Sequence, residues 1–320
     1  MDGYNSSAAN VTSSSDEQVS FAISVFFVFL PGCVFNSIAI FIIAKDVKTL
    51  HSPTNTLLFL LILFDFLALI SSYLWLVIDT NFEPIPCRIK IITNPLFLLF
   101  TGLLSLILAV DRYIALNFVF FYRENVTSKI WLYVSLGALL FCLFIGSLPL
   151  MGLGTVGNYS PISKQYTCSS FAYEPEPLKK VYGITQPSLG LVLTVCIVVL
   201  NTLTIRTVLK MKQRIRDQEI HIGQENLPSH EILFANLVTV MTLGSIVCWA
   251  PFHLVNILQT AGRKPPEGLI AFMHSVAGLS FSLDPLLYVW IRKSVRKKLV
   301  TVFRNCNRCK SSSNRSTIVT

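Results

Sequence analysis

Seven long apolar runs constrain this chain more than anything else in it. They cover roughly residues 19–44, 54–78, 89–118, 130–153, 181–209, 232–260 and 269–291, and each reaches the ~20 residues that a helix needs to cross a bilayer. A water-soluble domain does not carry such runs: apolar residues make up 52% of the 320, charged residues 13%, and the mean hydropathy is +0.61. Hydrocarbon offers no hydrogen-bond partners, so each span must satisfy its own backbone and is predicted to be helical. Pro31, Pro95, Pro149, Pro187, Pro251 and Pro285 lie inside these runs and are expected to kink helices rather than end them. The expected fold is an all-α membrane protein, a seven-transmembrane helix bundle with no separate soluble domain.

The charges in the connections orient it. Seven crossings put the termini on opposite sides, and the side holding 45–53, 111–129, 206–230 and the tail from 292 carries 19 of the 26 Lys and Arg residues. By the positive-inside tendency that side is cytoplasmic and the N-terminus is extracellular. The chain then divides into an extracellular tail (1–18), the seven-helix bundle (19–291), an amphipathic cytoplasmic helix (292–303) and a cytoplasmic tail (304–320). The net charge of +9 sits mostly on the cytoplasmic face, where attraction to anionic membrane lipid accounts for it and no nucleic-acid partner is implied. Asn5, Asn10 and Asn158 open Asn-x-Ser/Thr tripeptides on the outer side and are expected to be glycosylated at the plasma membrane. Cys87 and Cys168 both fall in the oxidising compartment and are the natural disulfide pair. Cys306 and Cys309 lie among basic residues past the last span, a setting suited to palmitoylation.

Within the third run an acid and a base stand side by side, Asp111-Arg112-Tyr113. A charge at hydrocarbon depth costs roughly 2.5–3.5 kcal/mol by insertion measurements, so such residues default to a functional reading. The alternative, that the pair lies at the membrane boundary and reaches toward water, is open on these residues alone.

Seven landmarks in order resemble the rhodopsin-like (class A) family of G-protein-coupled receptors. They are Gly32-x-x-x-Asn36, Leu61-x-x-x-Asp65, Cys87, Asp111-Arg112-Tyr113, Pro187, Cys248-Trp249-Ala-Pro251 and Asp284-Pro285-Leu-Leu-Tyr288. The resemblance implies that Arg112 and Glu231 form a cytoplasmic latch, that Trp249 and Pro251 pass ligand-driven motion down the sixth helix, and that Tyr288 joins the Arg112 network on activation. An exposed ion pair is worth about 0–1 kcal/mol, enough to bias a two-state equilibrium severalfold. Asp65 and Asp284, with Asn36, Thr101 and Ser280, suggest a cage for an allosteric sodium ion, the other reading being a protonated carboxyl pair. A heterotrimeric G protein is the expected cytoplasmic partner, followed by arrestin and a receptor kinase acting on the Ser/Thr-rich tail.

Finer similarity is to the prostanoid receptors, especially the prostaglandin E type. It rests on Leu148-Pro-Leu-Met-Gly-Leu-Gly154, on Ala109–Leu116 running into Phe120-Phe-Tyr122, on Leu283–Tyr288 and on Ile291-Arg-Lys293. Where those receptors use a seventh-helix Arg to hold the ligand carboxylate, this chain has Ser275 beside His274. Trp75, Asp79, Asn94, His253, Asn256, Gln259, His274 and Ser275 are the expected lining of an outer ligand pocket. That lining suits a lipid mediator, a small polar ligand or a short peptide.

Other classes fit less well. A transporter would repeat broken helices in its two halves, and an enzyme would carry a nucleophile–base pair or metal motif; neither pattern occurs in the sequence. A receptor-fold protein that binds a ligand without efficient coupling is the remaining alternative.

Overall fold

The computed structural model describes residues 25–44, 52–78, 84–154, 158–160, 165–167, 176–222, 229–263 and 265–291. A π-helical turn, Val25–Phe29, leads into α1 (Leu30–Ala44), followed by α2 (Pro53–Val77), α3 (Pro84–Asn117), a short α4 (Val119–Asn125) and α5 (Ser128–Ser147). A hairpin of β1 (Asn158–Ser160) and β2 (Gln165–Thr167) precedes α6 (Pro177–Ile222), α7 (Ser229–Thr260) and α8 (Glu267–Ile291). The hairpin pairs antiparallel with Tyr159 opposite Tyr166. Among the described residues each of the seven apolar runs is mainly helical, and five of the helices are long and apolar enough to cross a membrane.

Burial follows the rule for a bundle in lipid rather than in water. Large apolar side chains such as Leu136, Leu140 and Phe144 on α5 and Val192, Val195 and Val199 on α6 point outward, while Asn36, Asp65, Asp111, Gln186 and Asn256 are buried. In water that arrangement would expose a patch prone to aggregation; in a bilayer it is the stable one. The central helix is α3, packed against α2, α5 and α6. Leu57 and Leu61 of α2, Leu99, Phe100, Leu104 and Leu108 of α3, Cys142 of α5 and Leu193 of α6 form the main core beside it.

The prolines divide into two kinds. Pro95, Pro187, Pro251 and Pro285 lie inside helices, as expected. Pro149 does not kink a helix: it sits in a 3-10 turn, Leu148–Met151, that ends α5. Gly152 follows at φ 87°, the left-handed region that glycine enters without steric cost. Pro31 stands at the second residue of α1, directly after the π-helical turn, where the bonding pattern has already changed.

A proline also frees the carbonyl four residues before it, and two of these are recaptured by neighbouring helices. Pro187 releases Gly183 O, which accepts from Thr260 Oγ1 of α7 at 3.1 Å. Pro285 releases Phe281 O, which accepts from Asn36 Nδ2 of α1 at 2.9 Å. Freed backbone groups at membrane depth thus become joints between helices.

Candidate functional site

Three buried polar groupings lie along the bundle: one at the C-terminal end of α3, the end expected on the cytoplasmic side, one in its middle, and one in its N-terminal half, the end expected outside.

At the cytoplasmic end, Asp111 is fully buried. Its carboxylate accepts three hydrogen bonds, from Thr54 Oγ1 at 2.6 Å, Tyr122 Oη at 2.8 Å and Trp131 Nε1 at 2.7 Å. The donors come from the first turn of α2, from α4 and from the first turn of α5, so one carboxylate ties four helices together. Bonds to an ionised acceptor are the stronger kind, roughly 1.5–3 kcal/mol each. Burial, with a smaller addition from Asp111, pushes the Tyr122 phenol up to about 12, so it remains a neutral donor at physiological pH. Asp111 is therefore not a boundary charge reaching for water. Arg112 and Tyr113 are half-buried beside it, and the Tyr113 ring stands edge-on to Phe118 at 6.4 Å. The Glu231 and Tyr288 side chains, the expected partners of Arg112, lie outside the described residues.

In the middle, Gly32 lets α1 approach closely. A Cβ there would meet Ser282 Oγ and Leu69 Cδ1, so any side chain would push α1 off α8 and α2. That approach brings in Asn36, whose Nδ2 donates to Gly32 O and Phe281 O at 2.9 Å each. Among the described residues its Oδ1 has no donor, and neither carboxylate oxygen of Asp65 has one. Thr101 and Ser280 direct their hydroxyl protons into their own helices, toward Phe97 O at 2.9 Å and Ala277 O at 2.7 Å. Asp65 and Asp284 lie close enough for their charges to act on one another. A cluster of acceptor oxygens with no facing donor suits a hard cation or a shared proton.

In the outer half, aromatic rings form a floor. Trp249 lies edge-on to Phe281 at 5.6 Å and to Phe252 at 6.1 Å, and stacks on His253 at 6.0 Å. His274 of α8 meets Phe252 at 4.9 Å. The His253 imidazole rests on Gly190 of α6, where any Cβ would collide with it. Above the floor lie polar atoms that are buried and have no hydrogen-bond partner among the described residues: Asn94 Oδ1, both amide atoms of Gln186 and Asn256, Tyr182 Oη and His253 Nδ1. Each such atom left unpaired in a low-dielectric interior costs about 1–3 kcal/mol.

The expected lining is thus gathered only in part. Asn94, His253 and Asn256 join this layer, and His274 reaches its edge. Trp75 is instead engaged with Thr93, its Nε1 donating at 2.9 Å. Gln259 and Ser275 are half-buried on α7 and α8, while Asp79 lies outside the described residues. Tyr182 and Gln186 were missed by sequence reasoning. Their signal was present: Tyr182, Gln186, Gly190 and Thr194 recur every fourth residue, along one face of a mostly apolar stretch of α6.

Cys87 is buried and disulfide-bonded; Cys168 lies outside the described residues, as do Asn5, Asn10, Cys306, Cys309 and the predicted helix over 292–303. Asn158 is described only as part of β1.

The described residues thus form a multi-pass helical bundle with a satisfied polar hub at one end and, toward the other, buried polar atoms without partners among the described residues over a floor of aromatic rings. The profile of the 7 transmembrane receptor (rhodopsin family) matches residues 35–288, and the chain belongs to that family. It is similar to the prostaglandin F2-alpha receptor of Rattus norvegicus, 26% identical over 93% of this chain and 83% of that receptor. It is also similar to the neuropeptides B/W receptor type 2 of Homo sapiens, 28% identical over 46% of this chain and 44% of that one. A third relative, the B2 bradykinin receptor of Sus scrofa, is 25% identical over 51% of this chain and 45% of its own length.

Proposed function

We propose that this rhodopsin-family receptor works at the plasma membrane with its N-terminus outside, and that it binds an oxygenated lipid mediator of prostanoid type in the outer polar layer. Its cytoplasmic end then passes the signal to a heterotrimeric G protein, with arrestin and a receptor kinase acting afterwards. The observation that carries the reading is the layer of polar atoms, unpartnered among the described residues, that rests on Trp249, two residues before Pro251 on α7. A ligand that satisfies those atoms changes the packing of α7 at its bend, and the bend amplifies the change toward the cytoplasm. Similarity to a prostaglandin F2-alpha receptor spans nearly the whole chain, whereas similarity to peptide receptors spans about half, which supports a lipid over a peptide.

Arg112 is the residue on which coupling rests. Agonist-free G-protein activation in cells is expected to fall severalfold in Arg112→Ala at equal surface expression. Equal signals from the two would favour a protein that binds without coupling. The middle cluster supports a sodium site made by Asp65, Asp284, Asn36, Thr101 and Ser280. Replacing sodium by potassium in a ligand-affinity assay is expected to shift wild type and leave Asp65→Asn unmoved; a wild type indifferent to sodium would favour the shared proton.

A further inference from the structure

One interior-facing stripe of α3 has a residue at its outer end that neither the hub nor the aromatic floor uses. The stripe runs Lys90, Asn94, Phe97, Thr101, with the spacing of a single helical face. Phe97 packs with Trp249 against Phe281, Ala68 and Leu69, and Thr101 is buried, which fixes that face toward the bundle axis. Lys90 is half-buried one turn outside Asn94. Its ammonium acts electrostatically on His274 across the bundle on α8, and no acid among the described residues forms an ion pair with it. Among the other described outer cations, Lys179 is bonded to Glu176 at 3.2 Å, the half-buried Lys180 is engaged by a neighbour of its own, and Arg88 and Arg263 are exposed.

Lys90 lies just above a layer of amides. Gly102 of α3 faces Leu193 of α6, a Cβ there lying 3.9 Å from Leu193 Cδ1; both helices run inward, so two turns outward Asn94 and Gln186 are level. Gly190 faces His253 and Gly183 accepts from Thr260; these helices run in opposite senses, so Asn256 is level with Gln186 as well. From outside inward the order is a cation, then three amides, of which Asn94 offers an acceptor and Gln186 and Asn256 both a donor and an acceptor without partners among the described residues, then aromatic rings. That order matches an amphiphile with an anionic end, neutral hydroxyl or carbonyl groups along its length, and an apolar body.

We infer that Lys90 anchors the carboxylate of such a ligand while Asn94, Gln186 and Asn256 bond its neutral oxygens. A single ammonium balances a single negative charge, which favours a carboxylate over a phosphate dianion. The inference rests on the ligand-binding reading above and deepens it by naming the anchor.

The test is thermal unfolding of the purified full-length receptor in non-ionic detergent, titrated with a fixed panel of oxygenated C20 fatty acids, each beside its methyl ester, and with a lysophosphatidic acid. At least one acid is expected to raise the unfolding temperature, its ester to need at least tenfold more, Lys90→Gln to lose the response tenfold or more, and Lys90→Arg to keep it. The proposal is overturned if acid and ester act alike, if Lys90→Gln responds as wild type does, if no acid acts, or if the lysophosphatidic acid acts at lower concentration than every fatty acid. The acid–ester comparison on wild type decides even where Lys90→Gln fails to fold. Basal G-protein activation in cells expressing the same receptor separates the two readings: coupling without an acid-dependent shift sinks the anchor and leaves the receptor, and a shift without coupling does the reverse.

Discussion

The two ends of the bundle treat buried polarity in opposite ways. At the cytoplasmic end, the Asp111 carboxylate receives donors from three helices at 2.6 to 2.8 Å. In the outer half, Gln186 and Asn256 are as deeply buried, and none of their amide atoms has a partner among the described residues. A satisfied network stabilises and rigidifies the fold, whereas orphaned groups are tolerated where a partner arrives later. The first end is built to hold, and the second is built to receive.

The largest effect that tests this contrast is at the hub. Asp111→Ala leaves three donors facing an apolar gap, and at about 1–3 kcal/mol for each orphan the loss of stability is expected to exceed ~3 kcal/mol in thermal or denaturant unfolding of the purified protein. A loss below about 1 kcal/mol would mean that water reaches the site.

A smaller effect concerns alkaline pH. The Tyr122 phenol is held up to about 12, chiefly by burial, above its ordinary value near 10. A group whose folded value is raised contributes stability that is fully present below the unfolded value and is lost as pH rises through the folded one. The titration of Tyr122 is therefore expected to leave stability unchanged at neutral pH and to lower it between about pH 10 and 12, and Tyr122→Phe should remove that part of the decline. An identical alkaline profile for the two proteins would place Tyr122 outside the hub.

Much of the architecture was legible because hydrocarbon makes a simple demand. Seven apolar runs became seven helices, and polar residues inside them, Asn36, Asp65, Asp111 and Asn256, became buried ones. The hub was half legible. Asp111 announced itself as a charge in an apolar run, but its donors lie 57, 11 and 20 residues away in sequence. Trp131 in particular stands near the start of α5 rather than at mid-helix, and nothing local marks its indole as a donor to α3. The segment Leu148–Gly154, which carries part of the prostanoid likeness, proves to be a helix terminator. Gly154 admits Tyr182 and Pro149, whose atoms would lie 3.0 to 3.2 Å from a Cβ, and Tyr182 N donates to Leu153 O at 3.1 Å. That likeness is therefore one of packing, and the ligand must be read from the polar layer instead.

The account turns on whether the outer layer is polar for a ligand rather than for the fold. Thermal unfolding of Trp131→Phe and Asn256→Leu, side by side and without added ligand, tests this most directly. Trp131→Phe removes a donor from a satisfied carboxylate and should cost roughly 1.5–3 kcal/mol, while Asn256→Leu replaces an unpartnered amide with an apolar group of similar size and should be neutral or stabilising. Equal losses in the two would contradict the account, because Asn256 would then be as much a part of the fold as the hub is.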